Sequence, residues 1–172
     1  MNQQDLRALQ TPLKERYRSE PGAALVTLKA EGRIGQGITC SVQTGKALVE
    51  AGLHPATGGN GMFACSGDML LEALAACAGV TIGAVATALG IELRSGTVRA
   101  EGDLDFRGTL GVSKEVPVGF QNIRLDFDLD TDASAEQLAT LHRLTERYCV
   151  VYQTLRQSPA IAVSMNAPVV RQ

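Results

Sequence analysis

The chain has 172 residues, a formal net charge of −2 at pH 7 and 45% hydrophobic residues with no tryptophan. This length predicts a single domain, residues 1–172, with enough chain to bury a hydrophobic core. The nearly balanced charge argues against nucleic acid or a membrane as a partner, and the polar first residues, which lack an apolar signal segment, favour a cytoplasmic location.

The first sixty residues contain one helix signal and several strand signals. Leucines at helical spacing predict a helical extension within residues 1–22, ended by a Pro-Gly break. A strand is expected over 24–30, a glycine-rich turn over 31–37, and a hairpin with strands 38–42 and 47–50. Residues 54–61 form a loop by composition, without a phosphate-binding glycine motif.

The longest apolar segment of the chain follows this loop. It predicts a helix from about Gly67 to Leu89, with Ser66 as N-cap, Asp68 in the first turn and Gly90 as the stop. Because the helix is apolar on nearly every side, it should be buried on nearly every side. Its length alone would suit a membrane span, but alanine and glycine dominate it and strongly hydrophobic residues are scarce, which favours a core helix.

The second half of the chain carries two alternating segments and a long helical one. Alternation predicts strands over 98–107 and 123–130, and a capping box at Ser134 and Gln137 begins a helix that continues to about residue 157. A last strand is expected over 160–165. Without β-α-β alternation the class is α+β with antiparallel sheets. One sheet face cannot cover the central helix, so a homodimer is the working hypothesis.

The four cysteines suggest redox chemistry more than metal binding. They form no Cys-x-x-Cys pair and lie far in sequence from the two histidines, so neither a metal nor another cofactor is expected. Cys77 lies near the middle of the central helix, and helical spacing turns Cys149 toward the core as well. If Cys77 were a thiolate it would attack a peroxide and become a sulfenic acid, which Cys149 could convert to a disulfide.

A buried thiol needs a cation or dipole to ionise, and Cys77 is too far into its helix for that helix's dipole to act. An arginine reaching in from elsewhere is therefore expected, and Arg33, Arg107 and Arg124 are the candidates. Arg33, in the glycine-rich turn, has the most freedom to point inward. A carboxylate should hold the arginine, and Asp68 at the mouth of the helix competes with Glu72 for that part.

Three segments of the sequence resemble the OsmC/Ohr family of organic hydroperoxide reductases. They are Gly58-Gly59-Asn60-Gly61, the run from Cys65 to Cys77, and Glu146-Arg147-Tyr148-Cys149 with Leu155 downstream. The resemblance extends from about Ala24 to Met165. It implies an OsmC-like fold in which antiparallel sheets wrap around two long core helices of an intertwined homodimer, with active sites at the subunit interface.

The resemblance also implies a role for each site residue. Cys77 would be the peroxidatic thiol, Cys149 the resolving thiol, Arg33 the activating cation, and Asp68 would stand near a glutamate that binds this arginine in the family. The substrate would be an organic hydroperoxide, and the reductant a small dithiol or a lipoylated protein. Three features depart from the family pattern: Asp68 is shorter than glutamate, Val150 replaces a common proline, and Cys65 is an additional thiol.

A second hypothesis belongs to a different functional class. A non-catalytic OsmC-like protein would keep the fold and bind a small apolar ligand at the dimer interface. Its Cys77 would then titrate near the ordinary pKa of a thiol, whereas a peroxidase needs a depressed pKa. The purely structural reading, in which the cysteines only pack, is the third.

Overall fold

The computed structural model describes residues 2–5, 7–8, 10–11, 19 and 48–165, and the backbone of 32–34 and 39–43. Within this part, residues 3–5, 7–8 and 10–11 are helical, as predicted for the N-terminal extension. The side-chain amide of Gln3 donates to the carbonyl of Ala88 at 2.8 Å, which anchors this segment beside the end of the central helix. The predicted strand 24–30 and the side chains of Arg33 and Cys40 lie outside the described residues.

The first sheet has four strands, in the order β1 (Gly32–Ile34), β2 (Thr39–Gln43), β3 (Leu48–Gly52) and β4 (Ala64–Cys65). The predicted hairpin is confirmed, since β2 and β3 pair antiparallel. Part of the predicted glycine-rich turn is instead strand β1, because a ladder with β2 stabilises it against its turn composition. The prediction of purely antiparallel sheets is wrong here: residues 53–63 return the chain to the end of β3, where β4 pairs parallel with it.

The central helix, α1 (Ser66–Leu89), follows β4 directly. Its bounds match the prediction to within one residue, but the N-cap is Cys65, which makes no side-chain capping bond, and not Ser66. The predicted stop at Gly90 is confirmed: this residue has φ +70°, and the next N–H, of Ile91, donates to the Ala86 carbonyl at 2.9 Å. This is the usual glycine-terminated helix end, with Ile91 buried behind it.

A two-stranded antiparallel sheet covers one side of α1. It consists of β5 (Ser95–Asp103) and β6 (Asn122–Asp130), and in both strands the predicted alternation puts hydrophobic residues inward and charged residues outward. Strand β5 begins three residues earlier than predicted. It also ends four residues earlier, because residues Phe106–Thr109 form a helical turn, α2, whose start Asp105 caps. Arginine–aspartate pairs on the outer face, such as Arg94 with Asp130, occupy exposed positions where they stabilise little.

The second long helix of the prediction is two helices. Helix α3 (Ala135–Tyr148) begins at the predicted capping box of Ser134 and Gln137, and α4 (Val150–Arg156) continues after it. Cys149 separates them with an extended backbone, φ −72° and ψ 108°. The expectation of one continuous helix to residue 157 is therefore wrong, since the leucine spacing that predicted it continues unchanged through the break.

The predicted final strand, 160–165, is not a strand in the single chain. Its alternating apolar side chains, Ile161, Val163 and Met165, are 81%, 87% and 91% exposed. A strand needs a ladder partner, and among the described residues none lies beside this segment. The two sheets of the described chain therefore contain six strands in total without it.

The hydrophobic core lies between the second half of α1, helix α3 and strand β6. It is made of small and medium aliphatic residues, led by Ile82, Val85, Ala86, Ile91 and Leu141. The opposite face of α1 is uncovered: Ala73, Ala76, Val80 and Ala84, which we call the apolar stripe, are exposed, Val80 by 76%. Burial on nearly every side is thus wrong for one chain alone, because its sheet and helices pack against only one face.

Among the described residues, α1 is long and apolar enough to cross a membrane by length and composition. A core helix meets the same two criteria, and α1 buries Leu74, Ala78 and Ile82 against the rest of the chain. Length and composition therefore carry little weight as a sign of membrane insertion.

Candidate functional site

Two of the predicted site residues meet where α1 passes the break between α3 and α4. Cys77 is partly buried near the middle of α1, and Cys149 is 1% exposed at the break. The two thiols are within hydrogen-bonding distance of each other and are not joined in a disulfide. Residues 72 positions apart in the sequence thus form one pair of sulfur atoms.

The break supplies Cys77 with hydrogen-bond donors. In a continuous helix the N–H groups of Val150 and Val151 would donate to carbonyls four residues earlier. Because Cys149 is extended, both N–H groups are released, and both donate to the Cys77 sulfur. The last N–H bonded within α3 is that of Cys149, to the Thr145 carbonyl at 3.0 Å.

These donors decide the protonation of Cys77. Burial raises the pKa of the Cys77 thiol. Hydrogen bonds lower it by more than burial raises it, so the net pKa lies below its ordinary value; the groups responsible are the Val151 N–H, the Cys149 thiol, the Val150 N–H and the Thr81 hydroxyl. Hydrogen bonds to a thiolate favour the charged form over the neutral one. The arrangement therefore favours a nucleophilic sulfur at Cys77.

Cys149 has the opposite tendency. Burial raises the pKa of its thiol, and the neighbouring Cys77 raises it further, while the N–H groups of Tyr152 and Val151 oppose this only in part. Of the two sulfurs, Cys77 is the one that ionises first, and Cys149 stays a thiol that donates to it. The pair is asymmetric although both residues are cysteines.

Among the other predicted site residues, those whose side chains the structure describes are not assembled around this pair. Asp68 and Glu72 are both exposed on α1, and neither carboxylate bonds to a described side chain. Arg107 bonds Asp105, and Arg124 bonds Asp103 at 2.6 Å on the outer face of the second sheet. Arg33 belongs to β1, opposite Ser41 in the ladder.

Sequence reasoning missed the groups that surround the two sulfurs. Thr81 lies one turn after Cys77 and donates to its carbonyl at 2.7 Å, a position that helical spacing alone could have indicated. The N–H groups of Val150 and Val151 left no signal, because backbone donors become available only where the helix breaks. Gln153 supports the break itself: its amide donates to the Glu146 carbonyl at 2.7 Å.

Two surfaces lead away from the sulfur pair. On α1, Ala73 and Val80 are four residues before and three residues after Cys77, so they flank it on the helix surface within the apolar stripe. On the other side, an open groove of about 430 Å³ follows the break. Its lining is mixed in polarity and consists of Arg147, Tyr148, Cys149, Val150, Gln153, Thr154, Gln157 and Pro159.

The remaining described thiol, Cys65, is partly buried before the first turn of α1, twelve residues from Cys77. No three His, Cys, Asp or Glu side chains within the described ranges are grouped to hold a metal ion. The chemistry that the described side chains support is therefore that of the paired thiols.

A family model described as OsmC-like protein matches residues 59–164, which include both cysteines and the whole of α1. A search of the curated proteins finds no match. Among solved structures, the chain is similar to an OsmC-like protein from Mycoplasma pneumoniae, with a TM-score of 0.65, 14% identity, and coverage of 77% of this chain and 89% of that one.

Two other similar structures have names that mention hydroperoxides. An organic hydroperoxide resistance protein from Elizabethkingia anophelis has a TM-score of 0.59 at 16% identity, covering 78% of this chain and 91% of that one. An organic hydroperoxide resistance protein OsmC from Legionella pneumophila has a TM-score of 0.55 at 18% identity, covering 78% and 92%. At these identities the likeness establishes the fold.

Proposed function

Because the chain belongs to the OsmC-like protein family, we propose that it is a thiol-dependent peroxidase that reduces organic hydroperoxides through Cys77 and Cys149. Members of the fold are named organic hydroperoxide resistance proteins. The observation that carries the proposal is the sulfur pair: a Cys77 thiol whose pKa is lowered, in hydrogen-bonding contact with a buried Cys149 thiol whose pKa is raised.

The reaction follows from this asymmetry. The Cys77 thiolate attacks the terminal oxygen of the hydroperoxide, the O–O bond breaks, and the alkoxide leaves as an alcohol after taking a proton. Cys77 is then a sulfenic acid. Cys149 gives up its proton and attacks the oxidised sulfur, which forms a disulfide and releases water. A dithiol then reduces the disulfide by two successive exchange steps and is itself oxidised to a disulfide.

The substrate class follows from the surface next to Cys77. An alkyl group placed on the apolar stripe would lie beside the sulfur, since Ala73 and Val80 flank Cys77 on α1. Covering such a surface with hydrocarbon is favourable at about 25 cal/mol per Å². Hydrogen peroxide has no apolar part and would gain nothing there, so bulky organic hydroperoxides should be the better substrates.

The reductant we propose is a small dithiol or a lipoylated protein. The groove along the break reaches the Cys149 side of the pair and is open to solvent. A reductant that attacks the disulfide from this side would regenerate Cys77 without passing over the apolar stripe.

A second copy of the chain is the partner we propose for the uncovered apolar surface. The apolar stripe and the segment 160–165 expose hydrophobic side chains that a monomer would leave in water, such as Val80 and Val163. A homodimer would cover most of these side chains and would enclose the part of the apolar stripe beside Cys77 as a pocket for the alkyl group of the substrate. Sedimentation should show a dimer for the native protein and a monomer for Val80→Glu; a native monomer at micromolar concentration would contradict this.

We also propose Arg33 as the activating cation and Asp68 as the carboxylate that holds it. The N–H donors already lower the pKa of Cys77, so an arginine would add to an existing effect. Arg33→Ala should then slow peroxide reduction without abolishing the ionisation of Cys77.

The test of the proposed function compares three variants in a coupled assay with cumene hydroperoxide and dithiothreitol. Cys77→Ser should abolish turnover, and Cys149→Ser should allow sulfenic acid to form without a disulfide. Cys65→Ser is the matched control and should keep native activity. Full turnover by Cys77→Ser would refute the assignment, and a Cys77 with an ordinary pKa and no turnover would favour the ligand-binding alternative.

A further inference from the structure

The helix break at Cys149, between α3 and α4, creates an imbalance: backbone N–H donors and carbonyl acceptors lose their helical partners and must be satisfied by other groups. Because the helical hydrogen bonds are interrupted, the N–H groups of Val150, Val151 and Tyr152 are released, and these face the two sulfurs. It equally releases carbonyls that a continuous helix would have bonded, the first being that of Glu146. Glu146 is partly buried, so leaving its carbonyl without a partner would cost stability.

Gln153 resolves this imbalance. Its side-chain amide donates to the Glu146 carbonyl at 2.7 Å, in the place that the Val150 N–H would take in a continuous helix. Its own backbone N–H donates to the Cys149 carbonyl at 3.0 Å. One residue therefore bonds to both sides of the break.

We infer that Gln153 is a positioning residue of the peroxidase: by bonding the Glu146 carbonyl it holds the break open and keeps the N–H groups of Val150 and Val151 directed at the Cys77 sulfur. The inference rests on the proposed function, which gives the Cys77 thiolate its purpose. Gln153 does not touch the reacting atoms. It acts by removing the acceptor to which the Val150 N–H would otherwise return.

The described charged groups on the elements around Cys77 do not face its sulfur, so the titration of Cys77 can be interpreted. Within the described part of the chain, the titratable group that faces its sulfur is Cys149. On α3 the Glu146 carboxylate accepts the Tyr152 hydroxyl at 2.9 Å, and on β5 Arg99 pairs with Asp128 on the outer face. On α4 Arg156 lies beside the same Tyr152 hydroxyl, and on α1 Glu72 is exposed.

The experiment uses Gln153→Met, which keeps an unbranched side chain of similar length but cannot donate a hydrogen bond. Gln157→Met is the matched control, because Gln157 lies one turn later on the same groove and is exposed. The rate of Cys77 alkylation by iodoacetamide is followed against pH in the full-length protein, with mass spectrometry separating Cys77 from the other thiols.

Gln153→Met should raise the alkylation midpoint of Cys77 by about one pH unit, the shift expected from losing one hydrogen bond to a thiolate. Peroxide reduction should then be about tenfold slower below both midpoints and equal to the native rate above both. A role in folding alone would lower the rate equally at every pH. Gln157→Met should leave the midpoint and the rate unchanged.

Two outcomes separate this inference from the proposed function. A depressed native midpoint that Gln153→Met does not move would overturn the inference and leave the function standing. An ordinary native midpoint would overturn both. If Gln153→Met does not fold, amide exchange in the native protein decides: the Gln153 side-chain protons should exchange more slowly than those of Gln157, and equal rates would show that the bond is not formed.

Discussion

Replacing Val150 with proline removes one N–H donor from the Cys77 sulfur and changes little else. Val150 is the first residue of α4, where proline is tolerated because the N–H there has no helical acceptor. The residue before a proline must be extended, and Cys149 already has φ −72° and ψ 108°. The Val150 side chain is 69% exposed, so its loss sacrifices little packing.

The size of the effect follows from the bond that is lost. A hydrogen bond to a charged group contributes about 1.5–3 kcal/mol, and one pKa unit corresponds to about 1.4 kcal/mol. Cys77 is only partly buried, and the Val151 N–H and the Cys149 thiol remain as donors to its sulfur, so the lower end applies. Val150→Pro should raise the pKa of Cys77 by about one unit.

Iodoacetamide alkylation of Cys77 against pH measures this directly, because the thiolate is the form that reacts. Val150→Ala is the matched control: it also removes the branched valine side chain but keeps the N–H, so its midpoint should equal that of the native protein. If Val150→Pro folds and titrates like Val150→Ala, the Val150 N–H contributes nothing to the thiolate, which contradicts the activation of Cys77 by backbone donors.

Three further predictions concern stability and titration. Leu141→Ala, at a 1% exposed core position, should lower the free energy of unfolding by about 2–5 kcal/mol in urea denaturation, and a loss below 1 kcal/mol would contradict the core assignment. Gly83→Ala should raise the free energy of unfolding by about 1 kcal/mol, because no atom lies within 4 Å of the new methyl group. Gly90→Ala should lower it by about 1 kcal/mol, because Gly90 has φ +70°. A destabilising Gly83→Ala would show that another surface packs on α1 at this position. The Asp105 carboxyl, bonded by Arg107, should titrate at a pKa of about 2 in NMR. Because this folded-state pKa is depressed, its contribution to stability is present above about pH 4 and is lost as the pH falls through about 2; Arg107→Gln should return the midpoint toward 4, and a native midpoint already near 4 would contradict the pairing.

Local signals in the sequence predicted the elements whose stability is local. The start of α1 followed from Ser66 and Asp68 at the beginning of the apolar segment, and its end from Gly90, a residue that readily takes the left-handed conformation of a helix stop. Strand β6 followed from strict alternation, and the start of α3 from the capping box at Ser134. In each case, the interaction that fixes the helix or strand lies within a few residues of the sequence pattern that predicts it.

The break at Cys149 could not be predicted in this way, because the leucine periodicity crosses it without interruption. It is held by a side chain four residues later, Gln153, and by the sulfur of Cys77, which is 72 residues earlier. The segment 160–165 shows the complementary failure. Its alternation is that of a strand, but a strand forms only beside a partner, and the described single chain offers none.

The same break that activates Cys77 also sets the order in which the two thiols react. While Cys77 is a thiolate, its charge and its hydrogen bond add to burial in raising the pKa of Cys149, so Cys149 stays protonated and donates to it. Once Cys77 is oxidised to a sulfenic acid, that negative charge is gone. Burial still raises the pKa of Cys149, but the N–H groups of Tyr152 and Val151 now act without opposition from Cys77. Cys149 therefore ionises more easily at the step in which it acts as the nucleophile. Before that step, Cys77 is the one thiolate of the pair that can react with the peroxide.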